Sequence, residues 1–477
     1  MLSFTILIKY QYMSKIYIFG IGGTGSRVLR ALTMFMAAGV KIGTDEIVPI
    51  IIDPDASNAD LTRTVSLLNN YASIRKSLSF DESNSNEFFK TAIERIVPNY
   101  SLRIKDTEDK SFKQFISYGS MSKSNQALAK MLFSEKNLEA SMDVGFKGNP
   151  NIGSVVLNQI VDTDDFKSFA NSFNQGDRIF IISSIFGGTG ASGFPLLLKS
   201  LRTGKDFPNN DLINNAQIGA VTVLPYFKLK QNDDSEIDSS TFISKTKSAL
   251  AYYENNIIKN NAVDEMYYLA DNLSATYENY EGGSMQKNDA HLIEFLAASS
   301  IVDFSYKDKQ ECTDNLELGI KEVSGAVSFD SFYDRMQDML FSPLTQFTLM
   351  SNALTYKVNR FKSSSFNANK GNFEDIYDSR FFGEITDYFV QYKEWLKEMK
   401  NNKRSLDLFN IECEDKPFNL VTGITPKRIM SRYSDYDLVV ARLDSAVRAC
   451  KSKEAEDKFL EMFYIGTKKL VAEKLNK

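Results

Sequence analysis

The strongest constraint on this chain is a local pattern that occurs twice. Ile179 to Ile182 form a continuous apolar run, which reads as a strand buried on both faces. The run ends in Gly187-Gly188-Thr189-Gly190-Ala191-Ser192-Gly193, after which an apolar helical stretch resumes. Ile16 to Phe19 form a second such run, followed by Gly20-Ile21-Gly22-Gly23-Thr24-Gly25-Ser26. Strand, glycine loop and helix together turn a helix N-terminus and several free backbone N–H groups toward one point, which suits a phosphate. Glycine is needed because a Cβ would block both left-handed dihedrals and the close approach of ligand oxygens.

The pattern between and beyond the loops predicts a mostly parallel sheet with helices on both faces. Residues 15–53 read as a βαβ unit: KIYIF, the helix SRVLRALTMFMAAG, and EIVPIIID ending at Asp53. The polar loop DPDASNADLTR follows, at a strand end where open α/β sheets bind ligands. Residues 65–145 read as mostly helical and surface-facing, with no chemistry. GNPNIGSVVLNQI (148–160) contains a short β-branched run, and 164–177 an amphipathic helix. AQIGAVTVLPYF (216–227) and EMYYLAD (265–271) are further strands, with a charged loop after the first and a helix over 239–259. The turn YEGGSMQ leads to KNDAHLIEFLAASSIVDF, an apolar helix that Asn288 or Asp289 can cap.

At 477 residues the chain is long enough for two domains or more, and the change of character near 305 divides it into 1–304 and 305–477. The second part reads as a smaller α+β domain, with strands at SNALTYKVNRF and FNLVTGITP, mixed polar and β-branched residues at SRYSDYDLVVARLDS, and a long amphipathic C-terminal helix over 451–475. The apolar stretch in the first 13 residues is too short to span a bilayer; translation starting at Met13 or an added edge strand both account for it, and the expected location is the cytoplasm.

Charge and composition remove several functions. The 61 acidic and 56 basic residues nearly balance, and no basic stripe offers nucleic acid a footprint. Three distant cysteines and a single histidine leave no CxxC metal site and no histidine-based relay. His291 reads as a helix-surface or satisfied polar residue, and Trp395 as packing in an amphipathic helix.

A lone glycine loop with Asp53 at the next strand end would suit a dinucleotide, but the second loop would then be unexplained. A triphosphate explains both, and neither loop carries the GK[ST] of a P-loop. At this point the chain resembles the tubulin and FtsZ superfamily of GTPases, on GIGGTGS (20–26) and FGGTGASG (186–193), and, in order, on DPDASNAD, VLPYF, ADN (270–272) and the helix from NDAHLIEF. The resemblance covers about residues 14–304 and implies a Rossmann-like GTPase domain, GTP or GDP with Mg²⁺, and self-association into a dimer or filament without membrane insertion. By the same resemblance, Gly20, Gly22, Gly23, Thr24, Gly25, Gly187, Gly188, Thr189, Gly190, Ser192 and Gly193 hold the phosphates, and Asp53 and Asp55 hold metal-bound water or the ribose. Asn272 and Asn288 meet the base edge; either is equally a helix cap.

The family completes hydrolysis with a carboxylate loop of GxxNxD type inserted into the neighbouring subunit's site. The stretch here is GAVSFDSFYD, with Asp330 and Asp334 as the catalytic carboxylates but no Asn, and with Phe186 and Ala191 as further departures in the second loop. That leaves a nucleotide-bound scaffold with little hydrolysis as the alternative. An adenylating enzyme of the E1 type does not need the second loop, and its paired-cysteine zinc site is missing from this sequence; for a nicotinamide enzyme no proton relay can be placed.

Overall fold

The computed structural model describes residues 14–475 except 82, 143–144, 147, 231–241, 279–282, 284–286, 313–314, 368–372, 374 and 428–433. The leading stretch read as an edge strand or alternative start, most of the charged loop after 227 and most of the turn at 280–286 therefore lie outside the described residues.

The first apolar run is strand β1 (Lys15–Ile21), which passes directly into helix α1 (Gly22–Ala37) and returns as β2 (Glu46–Ile52). Helix α2 (Ala59–Lys76) and a two-residue strand β3 (Ala92–Ile93) follow. The second run is β4 (Arg178–Ser184), leading into α3 (Gly188–Thr203), then β5 (Gln217–Val223) and β6 (Glu265–Leu269). Helix α4 (Leu292–Ser305) precedes β7 (Leu316–Glu317). The seven strands lie in the order β3-β2-β1-β4-β5-β6-β7, with every pairing parallel. Ile16, Ile18, Ile50, Ile179, Ile181 and Val221 are all fully buried, as strands covered by helices on both faces require.

The order places the site. From β1 the chain crosses to β2 in one direction, and from β4 it crosses to β5 in the other, so the winding reverses between β1 and β4. In such sheets the crevice outside the carboxyl ends of the strands at the reversal is where a ligand fits. Both glycine loops leave their strands there.

After residue 305 the structure differs from the expected α+β domain. Besides β7, the described residues form α5 (Asp334–Tyr356), α6 (Arg380–Asn401), α7 (Asp435–Ala446) and α8 (Ala455–Lys474), with only isolated bridges at Val327–Leu406 and Phe409–Val421. SNALTYKVNRF lies in α5 and in a short helix over Val358–Lys362. Its Thr355 Oγ1 donates to the Ser351 carbonyl at 2.7 Å, as Thr348, just before the stretch, does to the Leu344 carbonyl. Burial of Phe347, Met350 and Leu354 at helical spacing decides the conformation over β propensity. GNPNIGSVVLNQI likewise forms a helix, Pro150–Leu157, with Ile152 and Val156 buried four apart.

The buried cluster runs continuously through residue 305. Trp395 of α6 is buried as expected, with its ring 6.4 Å from Phe35 of α1 and 6.2 Å from Phe295 of α4. No helix among the described residues is long and apolar enough to cross a membrane.

Candidate functional site

The two glycine loops open into one cavity of about 430 Å³. Gly22, Gly23 and Thr24 line one side of it, and Gly187, Gly188, Thr189 and Gly190 the other. A Cβ placed on Gly22 would lie 3.4 Å from Thr189 Cβ, so the loops meet. Gly22 has φ of +70°, a left-handed conformation that a side chain would strain.

Helices α1 and α3 are each 16 residues long, and their N-cap residues, Ile21 and Gly187, make no side-chain capping hydrogen bond. Asn58 caps α2, His291 caps α4 and Ser379 caps α6, whereas α5 and α8 also start without a side-chain cap but behind no glycine loop. The first-turn N–H groups of α1 and α3 have no intrahelical acceptor. Two bare, partially positive helix ends therefore converge on one space, which favours an anion.

The other residues expected at the site divide in two. Asp53, Asp55 and Asn288 line the same cavity. Gly20, Gly25, Ser192, Gly193 and Asn272 do not. A Cβ on Gly25 would stand 2.3 Å from the Gly20 carbonyl carbon, so this pair lets α1 close onto β1. A Cβ on Gly193 would meet the Ile21 side chain at 2.9 Å. Ser192 Oγ donates back to the Gly188 carbonyl at 2.7 Å. Asn272 is exposed, with its N–H on Asp271 Oδ1 at 2.8 Å, and Asp271 pairs with Arg404 at 2.9 Å.

Asp330 and Asp334 are exposed and do not line the cavity. Arg335, next to Asp334, pairs with Asp303 near the C-terminus of α4 at 2.8 Å, while His291 at its N-terminus lines the cavity. Leu292 and Asp303 are separated by about 17 Å of helix.

A buried charge network forms the cavity wall. Arg27 of α1 donates through Nε to Glu294 and through Nη1 to Asp60 at 2.8 Å, and Nη2 lies 3.4 Å from the Tyr226 hydroxyl. Asp60 also accepts the Asn288 N–H at 3.0 Å and its Nδ2 at 2.6 Å, and pairs with Arg63 at 2.9 Å. Glu398 of α6 holds Arg30 at 2.6 Å, Arg63 at 2.8 Å and the Ala290 N–H at 3.0 Å. Burial alone would lower the Arg27 pKa, but the charges of Glu294, Tyr226 and Asp60 outweigh it and hold the guanidinium firmly protonated. Burial likewise opposes ionisation of Asp60, but Arg27 and the Asn288 hydrogen bonds hold it below the usual carboxylate range.

Arg27 and Glu294 were not expected at the site, and Asp60, the last residue of DPDASNAD, was given no role of its own. The available signal was a charged residue inside an otherwise apolar helix, as in SRVLRALTMF and LIEFLAASS. Gly145, Phe146 and Gly148, from a stretch without expected chemistry, also line the cavity, and a Cβ on Gly188 would stand 3.0 Å from Phe146 Cβ.

The site residues fit a polyphosphate with a divalent cation. The bare backbone of Gly22, Gly23, Gly187 and Gly188 gives close access to phosphate oxygens. Among the described residues no group of three or more His, Cys, Asp or Glu could hold a metal. A magnesium ion would therefore take most of its ligands from phosphate and water. Asp55 is committed to the Ser57 N–H and hydroxyl and to the Gly283 N–H at 2.6 Å, while among the described residues Asp53 accepts only the Asp55 N–H at 3.1 Å.

Burial, with Asp55 and Asp60 close by, pushes the Asp53 pKa up to about 7. A carboxyl whose folded pKa exceeds its unfolded value of about 4 binds more protons when folded, so the Asp53 contribution to stability falls as pH rises from about 4 to 7. Asp53→Asn is expected to remove that loss. In urea unfolding at pH 4 and pH 8, the variant should gain on wild type with rising pH by a few kcal/mol, at most about 1.4 kcal/mol per pH unit. A constant difference between the two proteins would show that the folded pKa of Asp53 is not raised.

No protein-family model and no curated protein matches the chain. Among solved structures, CetZ from Methanosaeta thermophila strain DSM 6194 is similar at 16% identity and a TM-score of 0.28, over 54% of this chain and 46% of that one. CetZ2 from Haloferax volcanii, a GTPγS-bound protofilament, gives 13% and 0.26 over 54% and 49%. CetZ1 from Haloferax volcanii, a GDP-bound monomer, gives 13% and 0.28 over 54% and 51%. The similarity thus spans about half the length of each of these proteins, and at such values it decides nothing about function.

Proposed function

We propose that the chain binds GTP and GDP with Mg²⁺ in this cavity, hydrolyses GTP, and associates head to tail so that one copy completes the site of the next. The observation that carries the reading is the convergence of two uncapped helix N-termini, each behind a glycine loop, on one space. The choice of guanine rests on the sequence resemblance to the tubulin and FtsZ superfamily.

In this reading, backbone N–H groups of Gly22, Gly23, Gly188, Thr189 and Gly190 hold the phosphates, with the Thr24 and Thr189 hydroxyls beside them. Mg²⁺ neutralises charge on the phosphate oxygens and so lets Asp53 and Asp55 stand near them without repulsion. Arg27, already balanced by Asp60 and Glu294, fixes the wall rather than supplying a free charge. Asp330 and Asp334 do not line the cavity of their own copy, so in this reading they serve no role at its phosphates. A heterologous, head-to-tail contact would carry them to the next copy's cavity, where a carboxylate can orient the attacking water.

Turnover measured against protein concentration tests this. Turnover per subunit is expected to rise as particles associate, and Asp334→Asn is expected to lower it about a hundredfold with GTP affinity unchanged. Turnover that stays constant while the protein remains monomeric would reject the shared site. Tight GTP binding with no turnover at any concentration would identify the alternative, a nucleotide-bound scaffold, which the missing Asn in the carboxylate loop favours.

A further inference from the structure

The cavity wall includes residues from beyond the change of character near residue 305. Asn402, directly after α6, lines the cavity and is buried. Its Nδ2 donates to the Ala290 carbonyl at 3.0 Å, and its Oδ1 accepts the hydroxyl of Tyr277, another lining residue. Two residues on, Arg404 pairs with Asp271, just past the end of β6, at 2.9 Å. Helix α6 is held along its length by packing against the first part of the chain. Trp395 lies against Phe35 of α1 and Phe295 of α4, and the Tyr388 hydroxyl donates to the Thr33 carbonyl at 3.0 Å. That packing brings the C-terminal end of α6 to the ligand cavity.

Glu398 stands one turn before Asn402, is 8% exposed, and has both carboxylate oxygens engaged. Oε2 accepts Arg30 Nη1 at 2.6 Å and the Ala290 N–H at 3.0 Å, and Oε1 accepts Arg63 Nη1 at 2.8 Å. These partners belong to three separate elements: α1, α2 and the approach to α4. Each of the three starts at the cavity, α1 in the first glycine loop, α2 behind the Asp53 loop, and α4 behind Asn288. The bonds continue to the wall itself, because Arg63 also donates to Asp60 Oδ1 at 2.9 Å and to the Asn288 carbonyl at 2.6 Å. Among the described residues Arg30 has no other ion pair. Charge-assisted bonds of this kind are strong, and in a buried network each one fixes its neighbours.

We infer that α6 is part of the nucleotide site of its own copy, with Glu398 as the positioning residue that fixes α1, α2 and the approach to α4 relative to one another. Glu398 does not line the cavity and touches no ligand; it acts through Arg30, Arg63 and the Ala290 N–H. The inference rests on the nucleotide-binding reading and adds that residues 1–304 shape the site only with α6 in place. Coupling of this kind is reciprocal: if α6 sets the affinity for the nucleotide, the nucleotide must in turn tighten α6 by the same factor.

Glu398→Gln in the full chain keeps the shape of the side chain and removes its charge. Where circular dichroism shows the variant folded, it is expected to bind GTP with Mg²⁺ about tenfold more weakly than wild type does. A residue that only held the fold together would lower the thermal midpoint and leave the affinity of the folded protein unchanged. Affinity within about threefold of wild type would therefore overturn the inference. Hydrogen exchange of the wild-type protein tests the reciprocal effect and stays decisive if the variant does not fold. Saturating GTP with Mg²⁺ is expected to slow exchange at the amides of residues 398–402. Unchanged exchange there with GTP bound would overturn the inference and leave nucleotide binding standing. Failure of the wild-type protein to bind GTP, GDP or ATP would instead remove the nucleotide reading, and this inference with it.

Discussion

Gly25→Ala is expected to destabilise the protein by roughly 3–5 kcal/mol, and Gly23→Ala, two residues away, to leave it as stable as wild type or slightly more so. The added methyl at Gly25 would sit 2.3 Å from the Gly20 carbonyl carbon and 2.6 Å from its Cα. Both are backbone atoms of β1, a strand paired on both sides, so neither can yield. At Gly23 the nearest atoms are Arg27 Nη1 at 3.6 Å, Asp60 Oδ2 at 3.7 Å and Asn58 Nδ2 at 3.8 Å, which is ordinary contact. Gly23 faces the cavity, so its methyl takes space from the ligand, and GTP affinity should fall about tenfold or more. Urea unfolding and calorimetric titration of the two variants read these separately. A Gly25→Ala protein within about 1 kcal/mol of wild type would mean that α1 does not close on β1 as described.

Arg27→Met is expected to cost about 3–5 kcal/mol, because removing one partner of a buried ion pair leaves the other charge uncompensated. Asp60 retains Arg63 and Asn288 after the change, whereas Glu294 keeps only the His291 N–H. Glu294 is 2% exposed and would have to take up a proton or remain charged in an apolar wall. Its folded pKa would then stand further above its unfolded value, so the variant should recover stability as the pH falls toward 5. Adding Glu294→Gln should restore much of the loss at pH 7. Equal losses at pH 5 and pH 8, without rescue by Glu294→Gln, would show that Arg27 matters through packing and not through charge.

The sheet and the cavity were legible because their signals are local. Apolar runs such as Ile179 to Ile182 leave no choice but a strand covered on both faces, and glycine clusters after two of them mark where backbone must be bare. The roles of individual glycines were not legible. Gly20 and Gly25 serve strand–helix contact, a demand set by atoms five residues apart that meet only in the fold. The charge network was hidden for a similar reason: Arg27 pairs with residues 33 and 267 positions away. His291 reads as a helix-surface or satisfied polar residue, and it is buried at the start of α4, which it caps through Nδ1. In the C-terminal third, Thr-containing and β-branched stretches gave β signals that burial at helical spacing overrode, as at Leu354 and Thr355.

The place of β1 within the sheet has a consequence for synthesis. Ile16 pairs with Ile47 on one side but with Arg178 on the other, a partner 162 residues later. At about 5–20 residues per second, ribosomes take roughly 10–30 s to deliver that second neighbour. Throughout that interval the nascent chain carries a finished βαβ unit with an unoccupied apolar edge, the kind of surface that invites mispairing between chains and that chaperones shield.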